Sequence, residues 1–154
     1  PNVNKAIYRY SCEPPELSVV LVLPPHMANL TATSVVKSAS GMKMPVFGLG
    51  TWQSLDDDLE KALNAALEAG YRLIDTAALY NNEAVIGKVL TQWMSTGKLE
   101  RQDIFVTTKL SMQSNKPSLV KESLQKQLKA LQLDYVDLYL VHTPIGLDPD
   151  QELT

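Results

Sequence analysis

The stretch GYRLIDTAALYNN, residues 70–82, decides the fold class of this chain. A glycine leads directly into a short apolar segment, Leu73-Ile74, which ends on the carboxylate of Asp75. Glycine is typical of the position just after a helix, and a short apolar run is typical of a buried strand. The stretch therefore predicts a helix that turns at once into a strand, which is the repeating step of an α/β fold.

Helix and strand patterns alternate on both sides of this stretch. Before it, apolar residues recur at helical spacing from Leu59 to Leu67, and the segment Ser54 to Asp57 has the spacing of a capping box. The later patterns are, in order, a helix from Glu83, a strand over 104–109, a helix from Pro117 and a strand over 136–142. Short turns between the elements predict parallel strands joined by right-handed crossovers.

A hairpin precedes these units, with strand patterns over 35–37 and 44–47 around a turn at Gly41. A further short strand is expected over 48–52. Two architectures fit this order of elements: an open doubly wound sheet and a (β/α)₈ barrel. Because a barrel needs about 250 residues, the chain would contain only about half of one.

Residues 1–34 differ from the rest, since they are rich in proline and lack helical periodicity. We expect an irregular N-terminal extension over 1–34 and one folded domain over 35–154. Met27 lies in a plausible initiator context, so our hypothesis is that residues 1–26 are upstream translated sequence or an incidental extension. A native extension without regular structure is the alternative.

The composition excludes some classes of protein. The 154 residues are 45% hydrophobic and 20% charged, with a net charge of -3, so neither a nucleic-acid nor a membrane partner is expected. The one cysteine, Cys12, cannot form a disulfide within the chain, which favours a reducing, cytoplasmic location. The apolar run 17–23 is too short to cross a bilayer, and the prolines that follow it disfavour a signal peptide.

Polar side chains stand at or just beyond the ends of the predicted parallel strands. Thr51, Asp75, Lys109 and His142 hold these positions, and Tyr80 follows Asp75 closely. Each has an ordinary explanation when taken alone: a cap, a solvated terminus, a hydrogen-bonded rim residue or a packing residue. Because the carboxyl ends of parallel strands share one rim, we predict that these side chains form a functional site.

These residue types suit proton transfer to a carbonyl oxygen. An ammonium group close to a phenol favours the ionised phenol, and a carboxylate can hold that ammonium in place. A neutral histidine can donate a hydrogen bond to a substrate oxygen. The sequence has no HExxH, GxSxG or P-loop motif and no cluster of metal ligands, so no metal is expected. The pair Gly48-x-Gly50 is too short for a dinucleotide fingerprint.

These residues lie in segments that resemble the aldo-keto reductases. The matching segments are MPVFGLGTW (44–52), GYRLIDTAALYNNEAVIG (70–87), DIFVTTKL (103–110) and LQLDYVDLYLVHTP (131–144). The resemblance covers about residues 35 to 150. It implies the N-terminal half of a (β/α)₈ TIM barrel whose bottom is closed by the hairpin, and a monomer when the protein is full length.

The resemblance also implies NADPH-dependent reduction of small aldehydes or ketones. Asp75, Tyr80, Lys109 and His142 match the catalytic tetrad of the family, with Tyr80 as general acid, Lys109 and Asp75 tuning it, and His142 orienting the carbonyl. The implied cofactor-binding residues are Gly50, Thr51, Trp52 and Asp75. The implied substrate-binding residues are Trp52, Leu79, Tyr80, Ser111, His142 and Thr143.

Two positions depart from the family pattern. Many relatives carry tryptophan where Ser111 and Thr143 stand, which predicts a roomier and more polar substrate pocket. The family's later strands, which hold much of the cofactor, lie outside this sequence, so the choice of NADPH over NADH follows from the resemblance alone. We therefore expect the chain alone to bind NADPH poorly. The alternatives are a non-catalytic NADPH-binding regulatory or structural member of the same fold and an inactive truncated product.

Overall fold

The computed structural model describes residues 6–8, 19–21, 30–31 and 33–148. The chain divides into two compact units, Pro1–Thr31 and Ala32–Thr154. In the first unit, strands β1 (Ala6–Tyr8) and β2 (Val19–Leu21) pair antiparallel. This pair differs from the irregular extension expected there, and the β-branched valines of β2 favour a strand. Met27 itself and most of residues 1–26 lie outside the described residues, so the hypothesis that 1–26 are upstream translated sequence stays a prediction.

The second unit begins with the predicted hairpin. Strands β3 (Val35–Lys37) and β4 (Lys43–Pro45) pair antiparallel. Gly41 has φ of +90°, and its N–H donates to the carbonyl of Ser38 at 2.9 Å, so the turn needs a residue that tolerates the left-handed region. The hairpin shares a cleft with Phe105 and Asp137, which places it beside the amino ends of the parallel strands.

Four strands then form one parallel sheet in the order of the chain. They are β5 (Leu49–Gly50), β6 (Leu73–Asp75), β7 (Phe105–Leu110) and β8 (Leu138–Val141). In the register of the sheet, Asp75 lies opposite both Gly50 and Thr107, and Lys109 lies opposite Leu140. The predicted order of parallel strands is therefore confirmed, and their carboxyl ends share one rim.

Three helices alternate with these strands, as predicted. They are α1 (Asp56–Glu68), α2 (Glu83–Ser95) and α3 (Pro117–Leu131). The predicted capping box at the start of α1 is wrong. The N-cap residue is Leu55, which has no side-chain acceptor, and Ser54 lies one residue too early to cap. The aspartates of the first turn still complement the positive end of the helix dipole.

The end of α1 follows the prediction closely. Gly70 has φ of +89°, its N–H donates to Leu67, and the N–H of Tyr71 donates to Ala66. This pair of hydrogen bonds is a Schellman motif, which satisfies the last carbonyls of the helix and turns the chain into β6. The opening stretch therefore behaves as expected, because glycine adopts a positive φ without the steric cost of a Cβ.

The core lies between the helices and the sheet. Apolar side chains from the three helices pack on Ile74 and Val106, which are at most 2% exposed. The helix residues of this cluster are Leu59, Leu63, Leu67, Ile86, Val89, Leu90 and Leu131. Each fully buried leucine or isoleucine contributes about 1.5–3 kcal/mol of burial free energy. This packing fixes the strand ends that carry the candidate site. No helix within the described residues is both long and apolar enough to span a membrane.

Candidate active site

The site is built on the carboxyl end of β6. The backbone carbonyl of Asp75 accepts hydrogen bonds from the N–H and the hydroxyl of Thr51, both at 3.1 Å. Thr51 is completely buried just after β5. The ends of β5 and β6 are therefore tied together, and the Asp75 carboxylate is left to interact across the rim.

The Lys109 ammonium group lies at the centre of the site. Its Nζ donates to Oδ1 of Asp75 at 2.5 Å, to the carbonyl of Thr76 at 3.0 Å and to the hydroxyl of Tyr80 at 3.2 Å. The Lys109 side chain is only 14% exposed. Three acceptors match the three protons of an ammonium group, so this charge is satisfied and held in one position. The sequence prediction that these residues meet at one rim agrees with this geometry.

Tyr80 reaches the ammonium because a short turn holds it there. The residues Ala78–Tyr80 form one turn of 3-10 helix, which ends at Asn81 with φ of +54°. The next residue, Asn82, is buried, and its side-chain amide donates to the carbonyls of Thr51 and Ser54 at 2.8 and 2.9 Å. Its Oδ1 also accepts from the hydroxyl of Thr76 at 3.1 Å. Asn82 therefore anchors the turn that carries Tyr80 to the ends of β5 and β6.

Two rings flank the phenol. The centroids of Tyr80 and Trp52 are 4.8 Å apart, and those of Tyr80 and His142 are 5.7 Å apart with the rings near-perpendicular. Trp52 is 55% exposed, so part of its side chain is accessible to a ligand. The Tyr80 ring therefore lies between the rings of Trp52 and His142 at the rim.

His142 is kept in its neutral form. Burial lowers the pKa of His142, the Lys109 ammonium lowers it further, and the Asp75 carboxylate opposes both effects. Its Nδ1 atom is buried and has no hydrogen-bond partner within the described residues. A neutral imidazole beside a phenol can donate or accept a hydrogen bond at neutral pH.

The other predicted site residues lie in different settings. Gly50 is exposed, and no atom lies within 4 Å of the place a Cβ would take. Leu79 is half-buried in the same turn as Tyr80. Ser111 caps the following turn by accepting from the N–H of Gln113, and the Thr143 hydroxyl donates to the carbonyl of Ile145. The structure shows these local bonds for Ser111 and Thr143 but no contact that joins them to the Tyr80 hydroxyl.

Sequence reasoning missed the residues that support the site. Asn82 and the carbonyl of Thr76 both hold the Tyr80–Lys109 pair, and neither was a candidate. An asparagine pair directly after a tyrosine was the available signal, because asparagine tolerates the left-handed region and bonds to nearby backbone. Within the part of the chain that the structure describes, no three His, Cys, Asp or Glu side chains come close enough to hold a metal ion.

The arrangement is suited to delivering a proton. A phenol that touches an ammonium group can release its proton because the positive charge stabilises the phenolate that forms. The Asp75 carboxylate balances the ammonium, so the pair is neutral before the transfer. An adjacent neutral imidazole and a partly exposed indole offer a place for a substrate oxygen and an apolar group.

Comparison with known proteins agrees with this geometry. The sequence model of the Aldo/keto reductase family matches residues 46–154. The chain belongs to the aldo/keto reductase family. It is 46% identical over 121 residues to human aldo-keto reductase family 1 member C1, and 43% identical over 122 residues to zebrafish (Danio rerio) aldo-keto reductase family 1 member A1-A. These matches cover 77% and 79% of the chain but only 38% of either relative.

A solved structure supports the same fold. The aldose reductase from Schistosoma japonicum superimposes with a TM-score of 0.74 at 40% sequence identity, over 78% of this chain and 40% of that protein. The chain thus spans well under half the length of the aldo/keto reductases it matches. The predicted fold class, an α/β chain with the first strands of a (β/α)₈ barrel, is confirmed.

Proposed function

We propose that the protein containing this chain is an NADPH-dependent oxidoreductase that reduces aldehydes or ketones to alcohols. The observation that carries the proposal is the 3.2 Å contact between the Lys109 ammonium and the Tyr80 hydroxyl, with the same ammonium held by Asp75. Membership of the family supports carbonyl reduction as the reaction class. The residue roles below are our proposal.

The rim fits the nicotinamide end of the cofactor. No atom lies within 4 Å of the place a Cβ of Gly50 would take, Asp75 is its partner in the sheet register, and Trp52 two residues later is exposed. The flat nicotinamide ring fits such an open space. The hydroxyls of the ribose attached to it can donate to the Asp75 carboxylate. We propose that Gly50, Thr51, Trp52 and Asp75 hold this end of NADPH. When bound, the reduced nicotinamide supplies a hydride for the carbonyl carbon.

Tyr80 acts as the general acid in this proposal. Its hydroxyl gives a proton to the carbonyl oxygen as the carbon gains the hydride, so the product is an alcohol and Tyr80 is left as the phenolate. The Lys109 ammonium stabilises that phenolate, and Asp75 keeps the ammonium in position. Neutral His142 donates a hydrogen bond to the same carbonyl oxygen and orients it toward Tyr80.

The substrate pocket is bordered by residues of mixed polarity. We propose that Trp52 and Leu79 contact the apolar part of the substrate and that Ser111 and Thr143 lie farther out. The hydroxyls at 111 and 143 are bonded within their own loops, and side chains smaller than tryptophan at both positions leave a roomier and more polar pocket. The monomeric state and the cytoplasmic location stay predictions.

The experiment replaces Tyr80, the proposed general acid. In the protein containing this chain, Tyr80→Phe is expected to lower turnover of an aromatic aldehyde by about 10²- to 10⁴-fold, because the ring is kept and only the proton donor is lost. NADPH binding, followed by tryptophan fluorescence, should be unchanged.

The matched control is Tyr135→Phe, since Tyr135 is exposed and its ring stacks on Arg101 away from the rim. Full turnover in Tyr80→Phe would exclude the proposed acid. A wild-type protein that binds NADPH without any turnover would instead support a non-catalytic member of the fold.

A further inference from the structure

A buried polar cluster lies on the helix side of the sheet, opposite the candidate site. It consists of Gln127 of α3, Glu83 of α2, Thr108 of β7 and Tyr139 of β8, and we name it the Gln127 network. Gln127 is 3% exposed, Glu83 is 7% exposed and Thr108 is fully buried. Burying polar groups is costly unless they are hydrogen-bonded, so a cluster of this kind needs every partner in place.

Gln127 is the hub of these bonds. Its Nε2 donates to Oγ1 of Thr108 at 2.8 Å, to Oε1 of Glu83 at 3.0 Å and to the backbone carbonyl of Lys109 at 3.2 Å. Its Oε1 accepts from the hydroxyl of Tyr139 at 2.7 Å. The two N–H groups of the amide thus serve three acceptors, and one side chain joins two helices to two strands.

The remaining bonds close the network. The Thr108 hydroxyl donates to Oε1 of Glu83 at 2.7 Å, so this carboxylate oxygen accepts twice. Burial raises the pKa of Glu83, and the hydrogen bonds from Thr108 and Gln127 oppose that rise. Burial also raises the pKa of Tyr139, which keeps its hydroxyl protonated as a donor. Replacing Gln127 by an apolar residue would leave several of these groups unpaired.

Each partner of Gln127 is close in sequence to a residue of the candidate site. Thr108 directly precedes Lys109, and adjacent residues of a strand point to opposite faces of the sheet. Glu83 begins α2 just after the turn that carries Tyr80. Tyr139 lies on β8, which leads into His142. Three of the four side chains of the site are therefore attached to segments that meet at one buried amide.

We propose that Gln127 is a positioning residue that sets the relative places of Lys109, Tyr80 and His142 from the helix side of the sheet. It touches neither substrate nor cofactor. It acts by holding the backbone of β7 at Lys109 against the first turn of α2 and against β8. The inference rests on the proposed reductase function, and it adds a role for a residue outside the rim.

The test compares Gln127→Met with Tyr139→Phe in the protein containing this chain. Methionine has a similar volume but no hydrogen-bonding amide, so kcat for the aldehyde is expected to fall about 10- to 100-fold with the Kd for NADPH unchanged. Tyr139→Phe removes the hydroxyl that bonds to Oε1 of Gln127 and to the Ser123 side chain, and it leaves the Gln127 bonds to β7, so its loss of kcat should be smaller. Tyr139→Phe also keeps the test valid if Gln127→Met does not fold.

The control is Ile104→Val, a substitution in the apolar core that removes one buried methyl group and leaves the residues of the network unchanged. Its thermal stability should fall while its kcat stays at the wild-type value. If the variants of the network lose stability to the same extent as Ile104→Val and keep their kcat, the network is only structural and the inference is overturned.

A second readout does not depend on turnover. The Lys109 ammonium has three acceptors, so its protons should exchange slowly with water, and ¹⁵N NMR can follow them with Lys109→Met for assignment. We expect faster exchange in Gln127→Met and unchanged exchange in Ile104→Val. If the wild type shows no turnover but this difference is seen, the proposed function fails while the positioning role stands. Equal exchange in all three proteins overturns the positioning role.

Discussion

At the scale of single residues, three titratable side chains set the state of the candidate site. Lys109 and Asp75 form a pair at 2.5 Å, and His142 lies close enough to sense both of them. The site therefore contains a balanced ion pair next to a neutral imidazole. Which of the two charges dominates at the imidazole can be measured, because His142 titrates in an accessible range of pH.

We predict that His142 titrates below 6.5 and that its two charged neighbours shift it in opposite directions. Lys109→Met removes the positive charge, so the pKa of His142 should rise. Asp75→Asn removes the negative charge, so the pKa should fall further. The measurement is the pH dependence of the imidazole ¹³C–¹H NMR signals, assigned with His142→Gln because the chain has two histidines.

The same shift has a consequence for stability. A histidine with a lowered pKa in the folded state binds fewer protons there than in the unfolded chain, so folding is favoured above pH 6.5. This contribution is lost as the pH falls from 6.5 through the folded-state pKa. His142→Gln should therefore make the melting temperature less dependent on pH in that range. An unchanged slope would contradict the lowered pKa.

At the scale of the elements, the close packing of α2 on α3 is the feature on which the supporting network depends. The helices α2 and α3 approach each other closely at Gly87 of α2. A Cβ added there would lie 2.5 Å from the carbonyl oxygen of Ala130 and 2.6 Å from that of Leu131. Both are backbone atoms of α3, which cannot rotate away. The glycine therefore lets Glu83 and Gln127 come within hydrogen-bond distance across the helix pair.

Gly87→Ala is predicted to destabilise the protein by about 1–3 kcal/mol or more, because the methyl group forces the helices apart. This is the reverse of the usual effect, since alanine is favoured over glycine in helices by about 1 kcal/mol. The measurement is chemical denaturation followed by circular dichroism. As a control, Ala65→Gly at an exposed position of α1 should lower the free energy of unfolding only by the difference in helix propensity between alanine and glycine. A stabilised Gly87→Ala would contradict the close approach.

At the scale of the whole second unit, the parallel sheet has two open sides. Within the described residues, β5 and β8 each pair with one neighbour only. Val141 of β8 is 63% exposed, and Ile145 just beyond it is 65% exposed. An unpaired strand with apolar side chains is a template for pairing with another chain. In a complete barrel each strand has two neighbours, so the family fold itself would cover this edge.

We predict that the 154-residue chain alone self-associates through the β8 edge, and that Val141→Lys reduces this association. A lysine on an edge strand disfavours pairing because it brings a charge into the new interface. Sedimentation velocity over a range of concentrations is the measurement. The matched control is Leu55→Lys, since Leu55 is 56% exposed but lies at the start of α1. Equal effects of the two substitutions would show that the edge is not the contact.

Much of the architecture could be predicted from local patterns. The helices were placed correctly from the glycines at 70 and 97, the proline at 117 and the apolar periodicities. These signals depend only on the conformation of the backbone near each residue. The start of α1 was misplaced, because cap spacing alone does not decide which residue leaves the helical conformation. The strand pair β1–β2 was not anticipated, because three-residue strands carry little periodicity.

The sequence by itself determined the order of the elements and put Asp75, Lys109 and His142 at the ends of successive parallel strands. It did so because strand and helix signals are local, and the topology of parallel sheets brings such ends to one rim. Only the tertiary structure decided that Lys109 touches Tyr80, that Asn82 anchors the tyrosine turn and that Gln127 joins four elements. These contacts depend on which distant side chains meet once the helices pack, and no local pattern contains that information.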